Sequence, residues 1–421
     1  MRPKSFMLIA GEPSGDQLAA ELVRMLREEI SNAQAVPTYD YQPLYTSLEP
    51  RFFGAGGPHM ASAGVELALD LTAWSTIGFS DVAKHYFKFR RILQELYRLA
   101  VEREPDAIIC VDYGGFNRRF ARAIQRRVRA RVDWFHDWDP KLIQYVSPQV
   151  WASRPGRAYQ IAKDFDLLLS IIPFEKAWYK KRLLRFAIEF VGHPIVDRYV
   201  QQSLRSAVPI ISSASPMVLL LPGSRPAELS RHLPVMLEVL GRLGREIPGL
   251  RSCLVLPTEG LVQQAERGNL PPELRIQAGG LAEALAAADA AIASTGTVTL
   301  ECARFGVPTV AIYKTSWATF QIARHLVKVK YLAMPNLLAD EELFPEFVQD
   351  SATAENIAGA ILKLLRDPRR NAIVKSKLTE VIGMLGPSGA SRRAAQAILR
   401  LVQPELSARE PTKPSLAQSL G

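Results

Sequence analysis

Residues Ser5 to Leu26 read SFMLIAGEPSGDQLAAELVRML. An apolar run of strand type breaks at a glycine turn and resumes with helical spacing, the usual entrance to a nucleotide-binding half of a parallel α/β sheet. The turn raises a chemical question: does it hold a phosphate? Phosphate loops bring backbone N–H groups and the positive end of a helix dipole to an anion, and a carboxylate on each side of the turn repels that anion. With no lysine in the turn, and with Glu12 and Asp16 flanking it, the chemistry points to hydroxyl groups instead.

The strand-then-helix alternation recurs through all 421 residues. SFMLIA, RFFGAG, AIICVD, IQYVSP, LLLSII and IEFVGH supply strands to a first half. MVLLLPGS, SCLVLP, LRIQAG, AAIAS and TVAIYK supply a second. Between the halves lies RSAVPIISSASP, whose Ser, Pro and Ala content reads as a linker. The expected fold class is α/β, with two Rossmann-like doubly wound domains facing across a cleft, where the carboxyl ends of both sheets would bind ligands. The expected boundaries are a domain at 1–195, a linker at 196–215, a second domain at 216–402 and a disordered tail at 403–421. SNAQAVPTYDYQPLYTSLEP reads as a surface insertion.

Composition narrows the partners. A 48% hydrophobic, 22% charged chain is an ordinary globular one, and its formal net charge of +10 suits anionic partners without choosing among nucleotide, phosphorylated lipid, acidic membrane and nucleic acid. Cys110, Cys253 and Cys302 are odd in number and widely spaced in apolar or helical contexts, so they read as reduced core thiols of a cytoplasmic protein. The first apolar run is too short for a signal peptide, and no stretch approaches the roughly 20 apolar residues of a span, so any membrane contact is expected to be peripheral.

Two constellations in the second half suit an anion. LLPGSRPAEL sets Gly223, Ser224 and Arg225 between a buried strand and a helix, where loop amides and Arg225 could grip a diphosphate; a surface arginine beside a tight turn is the alternative. No Lys-Ser/Thr follows, so this is not an ATP-hydrolysing loop. STGTVTLECARFGVP places Ser294, Thr295, Gly296 and Thr297 at a helix start, with Glu301 one turn inside. A pyrophosphate could sit on the free amides while the carboxylate accepts ribose hydroxyls; a capped helix with a solvated Glu301 is the plainer reading.

In the first half, VDYGGFNRRFARAI puts Asp112 at a strand's carboxyl end beside Gly114 and Gly115. That place suits a general base, although Asp before glycines is often only a turn former. The arginines that follow read as a solvated helix face. WSTIGFSDVAKHYFKFRRILQELYRLA mixes Trp74, Phe79, Tyr86, Phe87 and Phe89 with Lys84, Lys88, Arg90 and Arg91, so an interfacial patch for acyl chains and anionic headgroups competes with core packing. HDWDP carries Asp137 and Asp139 at a metal-binding spacing, but three residues make a weak signal and a loop reading is favoured. No metal and no cofactor are expected.

Taken together, AGEPSGD, GAGGPHMASAGVE, VDYGGFN, YVSPQVWA, PFEKAWY, FVGHPIVD, LLPGSRPAEL, STGTVTLECARFGVPTVAIYK and LVKVKYLAMPNLLA resemble the lipid-A-disaccharide synthase family from about Met7 to Val402. The resemblance implies an inverting glycosyltransferase of the GT-B fold. Its implied donor is UDP-2,3-diacylglucosamine and its acceptor 2,3-diacylglucosamine 1-phosphate, joined β-1,6 with release of UDP at the anionic inner face of the inner membrane. No nucleic acid is implied, and a homodimer is compatible with it. By the same resemblance Asp112 matches a functional aspartate and, with Arg225, forms the expected catalytic pair. Glu301 and Asn336 match the nucleotide-sugar side, and Glu12, Ser14, Gly15 and Asp16 would face acceptor sugar hydroxyls. Two departures stand out. The family commonly reads Asp-Ala-Pro-Asp-Phe-Asn where this chain has DYGGFN, so Gly115 replaces an acid; Asp340-Glu341 replaces the usual Gly-Arg after PNLLA. A UDP-sugar epimerase and a non-catalytic lipid-binding descendant are the rival readings.

Overall fold

A computed structural model describes residues 3–34, 49–72, 82–130, 137–199 and 215–402. The chain divides into two compact units, one made of residues 1–148, 156–191 and 389–421, the other of 149–155 and 192–388.

The first unit carries a seven-stranded sheet. Its strands are β1 (Ser5–Ala10), β2 (Arg51–Gly56), β3 (Glu66–Asp70), β4 (Ala107–Val111), β5 (Lys141–Tyr145), β6 (Leu167–Ser170) and β7 (Ala187–Phe190), in the spatial order β3-β2-β1-β4-β5-β6-β7 and all parallel. Central strands are buried from end to end because helices cover both faces, which is why FMLIA and AIICV are continuous apolar runs rather than alternating ones. The helix Pro13–Gln34 repeats the logic at helical period, burying Leu18, Leu22, Leu26 and Ile30 along one side. Each such side chain contributes roughly 1.5–3 kcal/mol of apolar burial.

The second unit carries six parallel strands: β8 (Met217–Leu221), β9 (Arg251–Leu256), β10 (Arg275–Ala278), β11 (Ala290–Ser294), β12 (Thr309–Tyr313) and β13 (Glu346–Val348), ordered β10-β9-β8-β11-β12-β13. Two apolar layers flank the sheet. The helices Pro226–Glu246 and Ala354–Arg366 build one, and Thr297–Arg304 with Pro368–Met384 builds the other.

One difference from the expected boundaries is large. The helix Ala390–Val402, placed in the second domain by sequence order, packs in the first unit's core, where Ala394, Ala395 and Ile398 meet the side of Pro13–Gln34 that carries Leu22 and Leu26. Small alanines let the two helices approach closely, and polar links fix the register. Arg392 pairs with Glu28 and Glu29, Arg393 Nε donates to the Val191 carbonyl at 2.7 Å, and Arg400 pairs with Glu189 at 2.7 Å. The expected linker lies mostly, and the expected tail and much of the surface insertion entirely, outside the described residues.

Candidate active site

Each sheet reverses its strand order once, between β1 and β4 in the first unit and between β8 and β11 in the second. Such a switch point splays the flanking loops apart and opens a crevice at the carboxyl ends of the strands. Glu12 to Asp16, Asp112, Gly223 to Arg225 and Ser294 to Thr297 fall on or beside these four loops, with Glu301 one helical turn beyond the last.

In the first unit, β1 leads into Gly11–Asp16 and β4 leads into Asp112. The two turns touch: a side chain on Gly11 would stand 2.5 Å from the Tyr113 ring, and one on Gly15 would stand 3.6 Å from Asp112 Cβ. Glycine at position 11 therefore lets the second turn close over the first. Asp112 and Tyr113 have φ of 50° and 44°, two successive non-glycine residues in the left-handed region, a strain of about 1–2 kcal/mol each. The strain turns the chain sharply at the strand tip and leaves the Asp112 side chain half-buried. Hydrogen bonds hold the bend: Asp112 N–H donates to the Tyr145 carbonyl at 2.7 Å, and the Asp112 carbonyl accepts from Asn117 Nδ2 at 2.5 Å and from Gln144 Nε2 at 3.0 Å. Burial raises the neighbouring Tyr113 hydroxyl above its ordinary range, and the nearby Glu12 charge adds to the effect. Space above Gly115 is open, so the missing family acid leaves a gap rather than a substitute.

Not every residue of the glycine turn faces outward. Glu12 is half-buried and Ser14 exposed, but Gly15 is buried and Asp16 is fully buried. The Asp16 carboxylate accepts from the backbone N–H groups of Gly57, His59 and Met60 at 2.7, 2.9 and 3.1 Å. These are the first amides of the short helix Pro58–Ser62, whose own Gly57 cap has no side chain to offer. Asp16, expected to face sugar hydroxyls, here faces backbone amides. It is a cap supplied from another element, which leaves Glu12 and Ser14 as the polar residues of GEPSGD that are not fully buried.

In the second unit, β8 delivers Gly223, Ser224 and Arg225. Gly223 has φ 121°, and Glu228 folds back over the loop, accepting the Ser224 N–H at 3.0 Å and lying 3.8 Å from Arg225 Nη1. Arg225 stays largely exposed at the head of the helix that begins at Pro226. Behind the loop, His232 is wholly buried. Its Nδ1 lies 2.6 Å from the Pro222 carbonyl, which requires a proton on that nitrogen, and its Nε2 accepts the Lys314 N–H at 2.9 Å. Burial lowers its pKa and keeps the ring neutral, so it staples the loop after β8 to the end of β12. The sequence reading missed His232, whose only signal is a lone histidine on an otherwise apolar helix side.

The loop after β11 places Ser294 in the sheet and exposes Gly296 and Thr297 at a helix start that no side chain caps. Glu301 is half-buried one turn further on, where it accepts the Tyr199 hydroxyl at 2.8 Å. Burial raises its pKa, and the Tyr199 bond opposes that shift.

Asn336 lies on another element, the helix Met334–Ala339. It is fully buried, donates to the Phe344 carbonyl and Glu346, and accepts from the Leu343 and Phe344 N–H groups, all at 2.7–2.9 Å. Every polar valence of its amide is engaged in stitching the helix Met334–Ala339 to β13 and the segment before it. Of the two residues replacing Gly-Arg, Asp340 ends that helix at φ 51° and Glu341 pairs with Lys377.

Elsewhere, Phe89 makes a T-shaped contact with Phe116 at 5.0 Å and carries the Arg119 guanidinium over its ring, whereas Phe87 is 70% exposed. Trp74 and Phe79 lie outside the described residues. Asp139 pairs with Lys141 at 2.7 Å, and among the described residues no group of three or more His, Cys, Asp or Glu could hold a metal ion. None of the described helices is long and apolar enough to cross a membrane.

Two Rossmann-like units, each with one switch point in its parallel sheet, define the GT-B class of fold. Solved structures agree. The S. aureus MnaA–UDP co-structure matches with a TM-score of 0.59 at 12% identity, covering 98% of this chain and 100% of that one. The calicheamicin glycosyltransferase CalG4 matches at 0.57 and 15%, covering 96% and 100%. At those identities the likeness is one of fold. The family comes from sequence. A family model described as Lipid-A-disaccharide synthetase matches residues 6–400. The lipid-A-disaccharide synthase of Trichlorobacter lovleyi is 36% identical over 410 residues, 96% of this chain and 98% of that protein. That of Geobacter metallireducens is 34% identical over 411, covering 95% and 97%. The chain belongs to the lipid-A-disaccharide synthase family, and it is a hexosyltransferase that forms the lipid A disaccharide.

Proposed function

We propose that the first unit binds 2,3-diacylglucosamine 1-phosphate, the second binds UDP-2,3-diacylglucosamine, and the 6-hydroxyl of the acceptor attacks the donor's anomeric carbon from the face opposite UDP. The new β-1,6 bond forms as the bond to the diphosphate breaks, and the hydroxyl proton passes to Asp112. The single observation that carries this reading is the contrast between the switch points: a half-buried acid on a rigid strand tip in one, and an exposed cation with uncapped amides in the other. A hydroxyl is a poor acid, so a carboxylate takes its proton only as the new bond forms. The departing diphosphate gathers charge at the same moment, which Arg225 and the helix starts after β8 and β11 meet without a metal. Glu12 and Ser14 would hold acceptor hydroxyls, and Glu301 the ribose.

The diacyl substrates place the reaction at the cytoplasmic face of the inner membrane, reached peripherally through basic residues and exposed Phe87. Incubating the purified protein with both lipid substrates should yield disaccharide and UDP, with activity retained in chelator. Epimerised UDP-sugar without disaccharide would overturn the reading, and magnesium-dependent rescue after chelation would return Asp137 and Asp139 to the mechanism.

A further inference from the structure

The bend at Asp112 is held by two carboxamides from different elements, and one of them does more than satisfy a carbonyl. Gln144 interrupts the apolar strand β5, is fully buried, and donates from Nε2 to the Asp112 carbonyl at 3.0 Å and to the Val146 carbonyl at 3.1 Å. Those two carbonyls belong to residues at the tips of adjacent strands, and both residues sit in the left-handed region, Asp112 at φ 50° and Val146 at φ 52°. Its Oε1 is buried with no hydrogen-bond partner, and so is Oδ1 of Asn117, the second clamp. A buried amide that leaves its acceptor orphaned carries a penalty, which packing alone would remove by placing Leu or Met there. The donor half is therefore the part of the side chain in use, and it acts on the backbone of Asp112.

We propose that Gln144 is a positioning residue for the transfer reaction: its NH2 group, with Asn117 in support, locks the Asp112–Tyr113 peptide so that the Asp112 carboxylate is presented at the switch point. Without the clamp the strained residues relax toward extended conformations, which swings the Cα–Cβ direction of Asp112 and displaces its carboxylate. Displacement of a reacting group by about 1 Å lowers rate on the order of 10²-fold. The inference rests on the reading of Asp112 as the base.

The test measures kcat, donor KM, UDP affinity and thermal stability for Gln144→Met, which keeps the length and apolar volume and removes the donors. Each is measured alone and in an Asp112→Asn background. The expected result is a kcat lowered about ten-fold to a hundred-fold, donor KM and UDP affinity unchanged, and no further loss when Gln144→Met is added to Asp112→Asn. Asn117→Ser, which weakens the second clamp from another element, should give the same split and stands in if Gln144→Met does not fold. Wild-type kcat in both clamp variants overturns the inference while leaving Asp112 as base. An equal fold loss in the presence and absence of the Asp112 carboxylate also overturns it, because Gln144 would then act elsewhere. Full kcat in Asp112→Asn alone sinks the base reading itself, and that arm separates the two failures.

Discussion

The two switch points share a topology and oppose each other in chemistry. In the first unit the loops after β1 and β4 close on one another through Gly11 and hold a carboxylate on a strained backbone. In the second, the loops after β8 and β11 present amides and an exposed arginine, and the nearby acid, Glu228, is folded onto the loop's own N–H. On the proposed reading the first site transfers a proton directionally, which demands a fixed carboxylate, and the second receives a charged group, which an exposed cation and helix-start amides can meet. Parallel α/β architecture fixes where a ligand sits, while a few residues at the strand tips decide the sign of what it meets.

Exchanging the carboxylate at the first site tests the contrast hardest. Asp112→Asn is isosteric, so it should lower kcat by roughly 10²–10⁴-fold while UDP affinity stays at the wild-type level. A fall in UDP affinity instead would mean that the two sites are not chemically separate. Asp16→Ala, at the same crevice, should act on the fold: three amides lose a buried carboxylate, a cost of about 3 kcal/mol read as a lowered melting temperature. Were stability unchanged and acceptor KM raised, Asp16 would belong with the sugar after all.

At the second site, Arg225→Ala removes one charge-assisted contact, so UDP should bind about ten-fold more weakly by calorimetry. Unaltered affinity would move the diphosphate to the helix start after β11 alone.

The smallest effect concerns His193, which ends the FVGH stretch in the second unit. Burial pushes its pKa down to about 4, and its Nδ1 accepts the Ile195 N–H. The unfolded chain takes up a proton near pH 6.5 and the folded one only near 4, so stability is lost as pH falls through that window. Between pH 7 and 5.5 the loss is about 1 kcal/mol. His193→Gln should flatten the acid side of the melting-temperature profile by that amount, and an unchanged slope would show that other groups set it.

Eleven of the thirteen strands were legible in the sequence, most of them because strands buried on both faces read as continuous apolar runs; β3 and β13 were not. β3 is an edge strand whose exposure alternates along ELALD, and β13 is three residues of mixed character. The site was legible as loops and illegible as side chains. Asp112, Arg225 and Gly296 sit at strand tips, which periodicity reveals. Asp16 and Asn336 lie in motifs of the same polar character, but their partners are 41 and 8 residues away on other elements, and only the folded chain shows that backbone amides claim them. A hint existed in GGPHM, a helix start with proline and no capping side chain of its own. Gln144 gave a fainter one, a lone amide in an apolar strand.

The return of the helix Ala390–Val402 to the first unit has a consequence for biosynthesis. During translation the ribosome delivers β1 to β7 early, yet the surface of Pro13–Gln34 that this last helix covers stays bare until the whole second unit has been made. The nascent chain must carry that apolar stripe through the synthesis of nearly 200 further residues, from Gly192 to Ser388, before its own carboxyl terminus can shield it. A premature stop anywhere in that interval would release a product with an uncovered stripe, so early termination and sticky, chaperone-dependent fragments are linked by the order in which this chain is threaded.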